Sequence, residues 1–129
     1  MKALLDTHTF LYAASEVERV GSRALTLLRS PATIPCISLA SLWEMAIKER
    51  IGKLRLPVPL PVFWFDSVKR IGLILLPIDE TVILKSRELD LSHRDPFDRL
   101  LAAQALTGER PFLSRDRAVD EWGVDRIWD

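Results

Sequence analysis

Five carboxylates in this chain stand where chemistry could use them. Asp6 ends the run MKALLD, and Glu44 sits inside SLWEMAIK. Asp95 and Asp98 bracket a Pro-Phe pair in HRDPFDRLLAAQA, and Asp116 follows PFLSR. Each has an adequate local explanation. Asp6 and Asp116 suit helix N-caps, worth about 1 kcal/mol each. Ser41-Leu42-Trp43-Glu44 fits a capping box, and Glu44 with Lys48 makes a favourable i,i+4 pair. Asp95 as N-cap, Pro96 at the first helical position and Asp98 at the third make a sound helix start. That start explains Asp95 well and Asp98 less well, because a glutamate reaches back to a cap more easily.

The elements that must position these acids follow from the apolar pattern. Lys2 to Leu5, Thr33 to Ile37, Leu73 to Ile78 and Pro111 to Leu113 read as strands, with Arg126 to Trp128 a weaker fifth. They are continuous apolar runs rather than alternating ones, as expected of parallel strands covered on both faces. Helical spacing marks Ser22 to Arg29, Ser41 to Ile51, Pro61 to Ile71, Asp79 to Glu88 and Pro96 to Leu106. Alternating strands and helices predict an α/β fold with a central parallel sheet. Asp6, Glu44 and Asp116 then all fall at or just after strand C-termini, the edge where open α/β sheets hold their ligands. Asp98 opens a helix that packs on the same sheet.

Clustered there, the acids need a counter-charge. Two unit charges ~5 Å apart repel by about 3 kcal/mol at an effective dielectric near 20. The six pairs among Asp6, Glu44, Asp98 and Asp116 would total roughly 15–20 kcal/mol if fully charged. A typical domain has a stability of only ~5–15 kcal/mol. Such a cluster must take up protons or bind a cation, and hard oxygen donors suit Mg²⁺, with Mn²⁺ possible. Two histidines and one cysteine offer no recognisable zinc pattern. A divalent cation on carboxylates points to phosphate-ester chemistry. Arg94 and Arg99 flank the Asp95/Asp98 pair, and Arg115 and Arg117 flank Asp116. They are candidates for binding phosphate, the plainer alternative being solvated ion-pair partners.

Composition sets the frame. The 129 residues amount to about one domain, residues 1–129, and 48% of them are apolar, enough for a packed core. Eighteen basic residues balance eighteen acidic ones, so attraction to a polyanion must come from local patterning. Cys36, alone in an apolar run, forms no intramolecular disulfide and suits a reducing cytoplasm. MKALLDTHTF is not a secretory signal, and GLILLPI is far shorter than the ~20 residues of a membrane span. The expectation is a cytoplasmic protein with no membrane partner.

The segments LLDTHTFLY, ISLASLWEMAIKERIGKLRL, HRDPFDRLLAAQAL and LSRDRAVDEWGVDRIW, in that order along nearly the whole chain, resemble the PIN-domain family. More narrowly, they resemble the VapC-type toxins of bacterial and archaeal toxin–antitoxin pairs. The resemblance implies a three-layer α/β/α sandwich around a parallel sheet. It implies a metal-dependent endoribonuclease acting on structured RNA such as tRNA or rRNA. It also implies a cognate VapB-type antitoxin whose peptide covers the active-site groove, and commonly a homodimer. Asp6, Glu44, Asp98 and Asp116 match the four family acids, which would hold one or two Mg²⁺ ions directly or through water. Asp95 matches a frequent accessory position, and Ser114 a place for a supporting hydrogen bond. The implied products carry a 5′-phosphate and a 3′-hydroxyl.

Other readings compete. A haloacid-dehalogenase-like phosphatase needs a second aspartate two residues after the first, where this chain has His8. A receiver-type signalling module needs a Lys and a Thr on later strands that cannot be placed. A PIN fold that binds RNA or a partner without cutting stays open. His8 and His93 are assigned to capping or supporting hydrogen bonds rather than to general-base duty. Of Phe63, Trp64 and Phe65, one or two rings are expected in the core and the remainder on the surface.

Overall fold

A computed structural model describes residues 1–89 and 95–129; the sequence-derived candidates His93 and Arg94 lie outside the described residues. The chain alternates between β1 (Lys2–Leu5), α1 (Thr7–Ser15), α2 (Ser22–Arg29), β2 (Ile34–Ser38), α3 (Leu39–Arg50) and α4 (Leu60–Ile71). It continues through β3 (Ile74–Leu76), α5 (Glu80–Ser86), α6 (Pro96–Thr107), β4 (Phe112–Leu113) and β5 (Arg126–Ile127). Short 3₁₀ turns cover Val17–Arg19 and Arg117–Trp122.

The strands form one sheet in the order β3-β2-β1-β4-β5, and every pairing is parallel. Side chains of successive strand residues face opposite ways, and the two cores sort them accordingly. Ala3, Leu5, Ile37 and Leu113 enter one core with Phe10, Ala24, Met45, Phe63 and Trp64 from α1 to α4. Leu4, Cys36 and Phe112 enter the other with Val82 of α5 and Leu101, Ala102 and Ala105 of α6. Both faces are therefore covered, which is why the strands are apolar throughout. The result is the expected three-layer α/β/α sandwich.

The chain moves outward from β1 to β2 and β3 on one side, then returns to lay β4 and β5 on the other. The reversal lies between β1 and β4, and a crevice at the C-terminal ends of those strands is the ligand position of this architecture. Two features deserve correction. The helix after β2 starts at Leu39 with Ser38 as its cap, the Ser38 hydroxyl accepting from Ala40 N–H at 3.0 Å. Ser41 is thus no cap, and the capping box with Glu44 does not form. Instead Ser41 lies in the first turn of α3 and Glu44 in the second, both buried. β3 is also shorter than its apolar run, because Pro77 has no N–H to give the ladder.

Candidate active site

Asp6 leaves β1 and caps α1, its Oδ1 accepting the Thr9 N–H at 2.7 Å. The Asp6 N–H donates to the Leu113 carbonyl at 3.1 Å and the Thr9 hydroxyl donates to the same oxygen at 2.8 Å, tying the ends of β1 and β4 together. Ser114, fully buried, joins the two acids of these strands. Its hydroxyl accepts the Asp116 N–H at 3.1 Å and lies beside the Asp6 carboxyl. Asp116 in turn caps its 3₁₀ turn by accepting from Ala118 N–H at 3.0 Å. On the facing side Asp95 caps α6 through Phe97 N–H at 2.9 Å, with Pro96 at the first helical position. Asp98, half-buried, follows in the first turn.

Asp6, Asp95, Asp98 and Asp116 line one cleft of about 440 Å³, together with Glu44, Thr7, His8, Thr9, Tyr12, Arg115, Arg117 and Trp128, while Ser114 lies behind them. The structure thus brings together all five acids singled out in the sequence. Arg115 and Arg117 belong to the same cleft, whereas Arg99 is not among its lining residues. His8 lines the cleft and stacks at a tilt near Tyr12, with ring centres 6.4 Å apart.

Two residues control Glu44: Thr7, which the sequence left unremarked, and Lys48. The Thr7 hydroxyl donates to Glu44 Oε1 at 2.6 Å and lies 2.9 Å from the Ser41 hydroxyl. The Lys48 ammonium closes a salt bridge on Glu44 Oε2. Lys48 was legible as an i,i+4 partner, but its second role was not: Asp95 and Asp98 also act on its charge. Partial burial pulls the Lys48 pKa down; the Glu44 hydrogen bond and charge, and the fields of Asp95 and Asp98, outweigh it and leave it above the ordinary lysine value. The Lys48 ammonium thus supplies counter-charge to Glu44, Asp95 and Asp98.

Among the described residues, no salt bridge is formed by Asp6. Burial pushes its carboxyl above the ordinary aspartate value, against hydrogen bonds from Ser114 and Thr9 and the charge of His8. The donors around the cleft are hard carboxylate oxygens, the kind that suits Mg²⁺ or Mn²⁺. Among the described residues, no three His, Cys, Asp or Glu side chains close on a single point. The donor set fits such an ion in chemistry.

An acid-lined cleft at the switch point of a parallel α/β/α sheet defines a class of proteins that work on charged ligands at the strand ends. The chain belongs to the PIN domain family, whose model matches residues 3–123. No curated protein sequence matches it. Among solved structures it is similar to VapBC2 from Rickettsia felis bound to a DNA fragment from their promoter, with a TM-score of 0.70, 15% identity and 100% of each chain covered. It is also similar to VapBC-5 from Mycobacterium tuberculosis (TM-score 0.60, 16% identity, 98% of this chain and 95% of that one). FitAcB from Neisseria gonorrhoeae gives a TM-score of 0.62 at 17% identity over 98% and 96% of the two chains. At these identities the likeness is one of fold.

Surface features complete the picture. Phe63 and Trp64 are buried and Phe65 is 72% exposed, as the sequence reading divided them. Leu39, Trp43 and Ile47 on α3 and Ile51 at its C-cap are exposed at four-residue spacing, an apolar stripe along one helix face. Among the described residues no helix is long and apolar enough to cross a membrane.

Proposed function

We propose that this chain is a metal-dependent endoribonuclease, the toxin of a toxin–antitoxin pair working in the cytoplasm. The observation that carries the reading is the convergence of Asp6, Glu44, Asp95, Asp98 and Asp116 on one cleft of a PIN-family chain. Asp6, Asp98 and Asp116 would hold Mg²⁺ or Mn²⁺, with Glu44 joining directly or through water. When bound, the ion supplies an activated water and charge stabilisation for phosphodiester hydrolysis, leaving a 5′-phosphate and a 3′-hydroxyl. Ser114 orients Asp6 and the Asp116 backbone, and Asp95 aims the first turn of α6. Thr7 and Lys48 hold the Glu44 carboxylate, and Lys48 must loosen its grip when a divalent ion enters. Arg115 and Arg117 are placed to meet phosphate oxygens.

Partners follow from the surface. Several of the similar structures are toxin–antitoxin assemblies, which supports a VapB-type antitoxin. The exposed apolar residues of α3, with Val62 and Phe65 of α4, offer apolar surface for an antitoxin and for a second copy of the chain in a homodimer. The competing reading, a PIN module that binds RNA without cutting it, draws support from the occupation of Glu44 by Lys48.

The test compares wild type, Asp6→Asn and Asp98→Asn on total RNA with Mg²⁺ and with EDTA. Cleavage by wild type in Mg²⁺ alone, lost in both variants, is the expected result. Cutting that persists in EDTA or survives both substitutions sinks the metal-nuclease reading; a wild type that binds RNA and never cuts it favours the binding module.

A further inference from the structure

The acid cleft repels the phosphates of its own proposed substrate, so the strand must be held beside it. A second pocket, about 240 Å³, is lined by Arg23, Arg115, Arg117, Arg126, Trp128 and Asp129. It shares Arg115, Arg117 and Trp128 with the acid cleft, so the two are contiguous. In a chain of zero formal net charge, this gathering of guanidinium groups is a marked local excess.

The residues arrive there by construction. Arg126 is committed to structure, with Nε 2.7 Å and Nη2 3.2 Å from the Asp120 carboxylate and Nη1 donating to the Ser114 carbonyl at 3.2 Å. It braces the segment that carries Ser114 and Arg115. Arg23 comes from α2, far away in sequence. The Ala24 N–H donates to the Trp128 carbonyl at 3.0 Å, docking the start of α2 on the last strand. A Cβ at Gly21 would stand 2.3 Å from that same oxygen, so the approach requires glycine. The docking delivers Arg23, exposed at the second position of α2, to the side of Arg115 and Arg117. Asp129 is the lining carboxylate that opposes them, and Asp120 is matched to Arg126.

We propose that this arginine pocket binds a backbone phosphate of the RNA strand, displaced along the chain from the bond at the acid cleft. The inference rests on the nuclease reading and adds where the substrate lies. Arginine keeps its charge at any working pH, and its planar fork matches two phosphate oxygens. Such a contact positions the strand and reads no base.

The test uses Arg23→Ala, Arg23→Lys and Arg23→Glu in the full chain, with a short fluorescent single-stranded RNA in EDTA, across a salt series. Arg23→Ala should weaken binding about five-fold irrespective of sequence and lower the slope of log affinity against log salt by about 0.7. Arg23→Lys should recover most of the loss and Arg23→Glu should exceed it. In Mg²⁺ the same loss should appear in KM, with kcat within about two-fold. Unchanged affinity and slope in Arg23→Ala overturn the pocket. If wild type cuts RNA while Arg23→Ala keeps its KM, the pocket fails and the nuclease stands. If RNA binding depends on Arg23 while wild type cuts nothing, the pocket stands and the nuclease fails.

Discussion

Replacing Lys48 with methionine probes the electrostatics of the cleft most sharply. Glu44 is 3% exposed, and it is held by the Thr7 hydroxyl and the Lys48 ammonium. Methionine keeps the length and the packing of the stem and removes the charge. Breaking a fully buried ion pair costs ~3–5 kcal/mol. The Lys48 side chain is 35% exposed, so solvent already screens part of the interaction. Thr7 remains to hold one carboxylate oxygen, and a hydrogen bond to a charged group is worth about 1.5–3 kcal/mol. The expected loss is therefore about 1–3 kcal/mol. For a chain of 129 residues, 1 kcal/mol moves Tm by about 4 °C, so the midpoint in EDTA should fall by roughly 4–11 °C. Glu44→Gln combined with Lys48→Met should be less destabilised than the two single changes summed, because neither charge is then left unmatched. Mg²⁺ should narrow the gap between Lys48→Met and wild type, since a bound cation replaces the missing ammonium and binds more tightly without its competitor. Calorimetry in EDTA and in a Mg²⁺ series reads all of this. A fall in Tm of under about 1 °C, or a gap that Mg²⁺ leaves unchanged, refutes the assignment of Lys48 as the resident counter-cation.

Two further expectations follow from individual contacts. Asp6 has a raised pKa in the folded chain, so the folded state holds that proton more tightly than the unfolded state does. Its contribution to stability therefore falls as pH rises from the unfolded value, 3.8, through the folded one, and stays unfavourable above it. In EDTA, Asp6→Asn should be more stable than wild type at neutral pH, with the advantage fading on acidification, as urea titrations across pH would show; asparagine keeps the cap. A variant that is less stable than wild type at neutral pH contradicts the burial argument. Gly21→Ala should cost about 1–3 kcal/mol by forcing α2 away from the Trp128 carbonyl, and should weaken RNA binding as Arg23→Ala does. An unchanged urea midpoint would show that the backbone yields at no cost.

Much of this architecture was legible in the residues because the two-sided burial of a parallel sheet writes itself as uninterrupted apolar runs. β1 and α2 fall where their patterns put them, and Asp95-Pro96 marks the start of α6 to the residue. Four of the acids were legible too, since Asp6 ends a strand and Asp95, Asp98 and Asp116 open helical turns, whereas Glu44 lies inside α3. Other features have no local signature. α1 was not delimited, because Thr7 and Thr9 are weak helix formers whose hydroxyls serve Glu44 and Leu113 rather than the helix. The cap of α3 lies three residues before the expected one, at Ser38 rather than Ser41, because ISLAS offers two serines and only tertiary contact decides that Ser38 caps while Ser41 faces Thr7. Arg23 is brought beside Trp128 by the backbone hydrogen bond from Ala24 to Trp128, a contact between distant segments that no spacing rule encodes.

The central claim is that the clustered carboxylates cut RNA, and sequencing of RNA ends after brief controlled expression tests it most directly. New 5′-phosphate ends should appear at a restricted set of sites with wild type and be absent with Asp98→Asn expressed to the same level. No new ends with wild type, or the same ends with Asp98→Asn, would contradict the account.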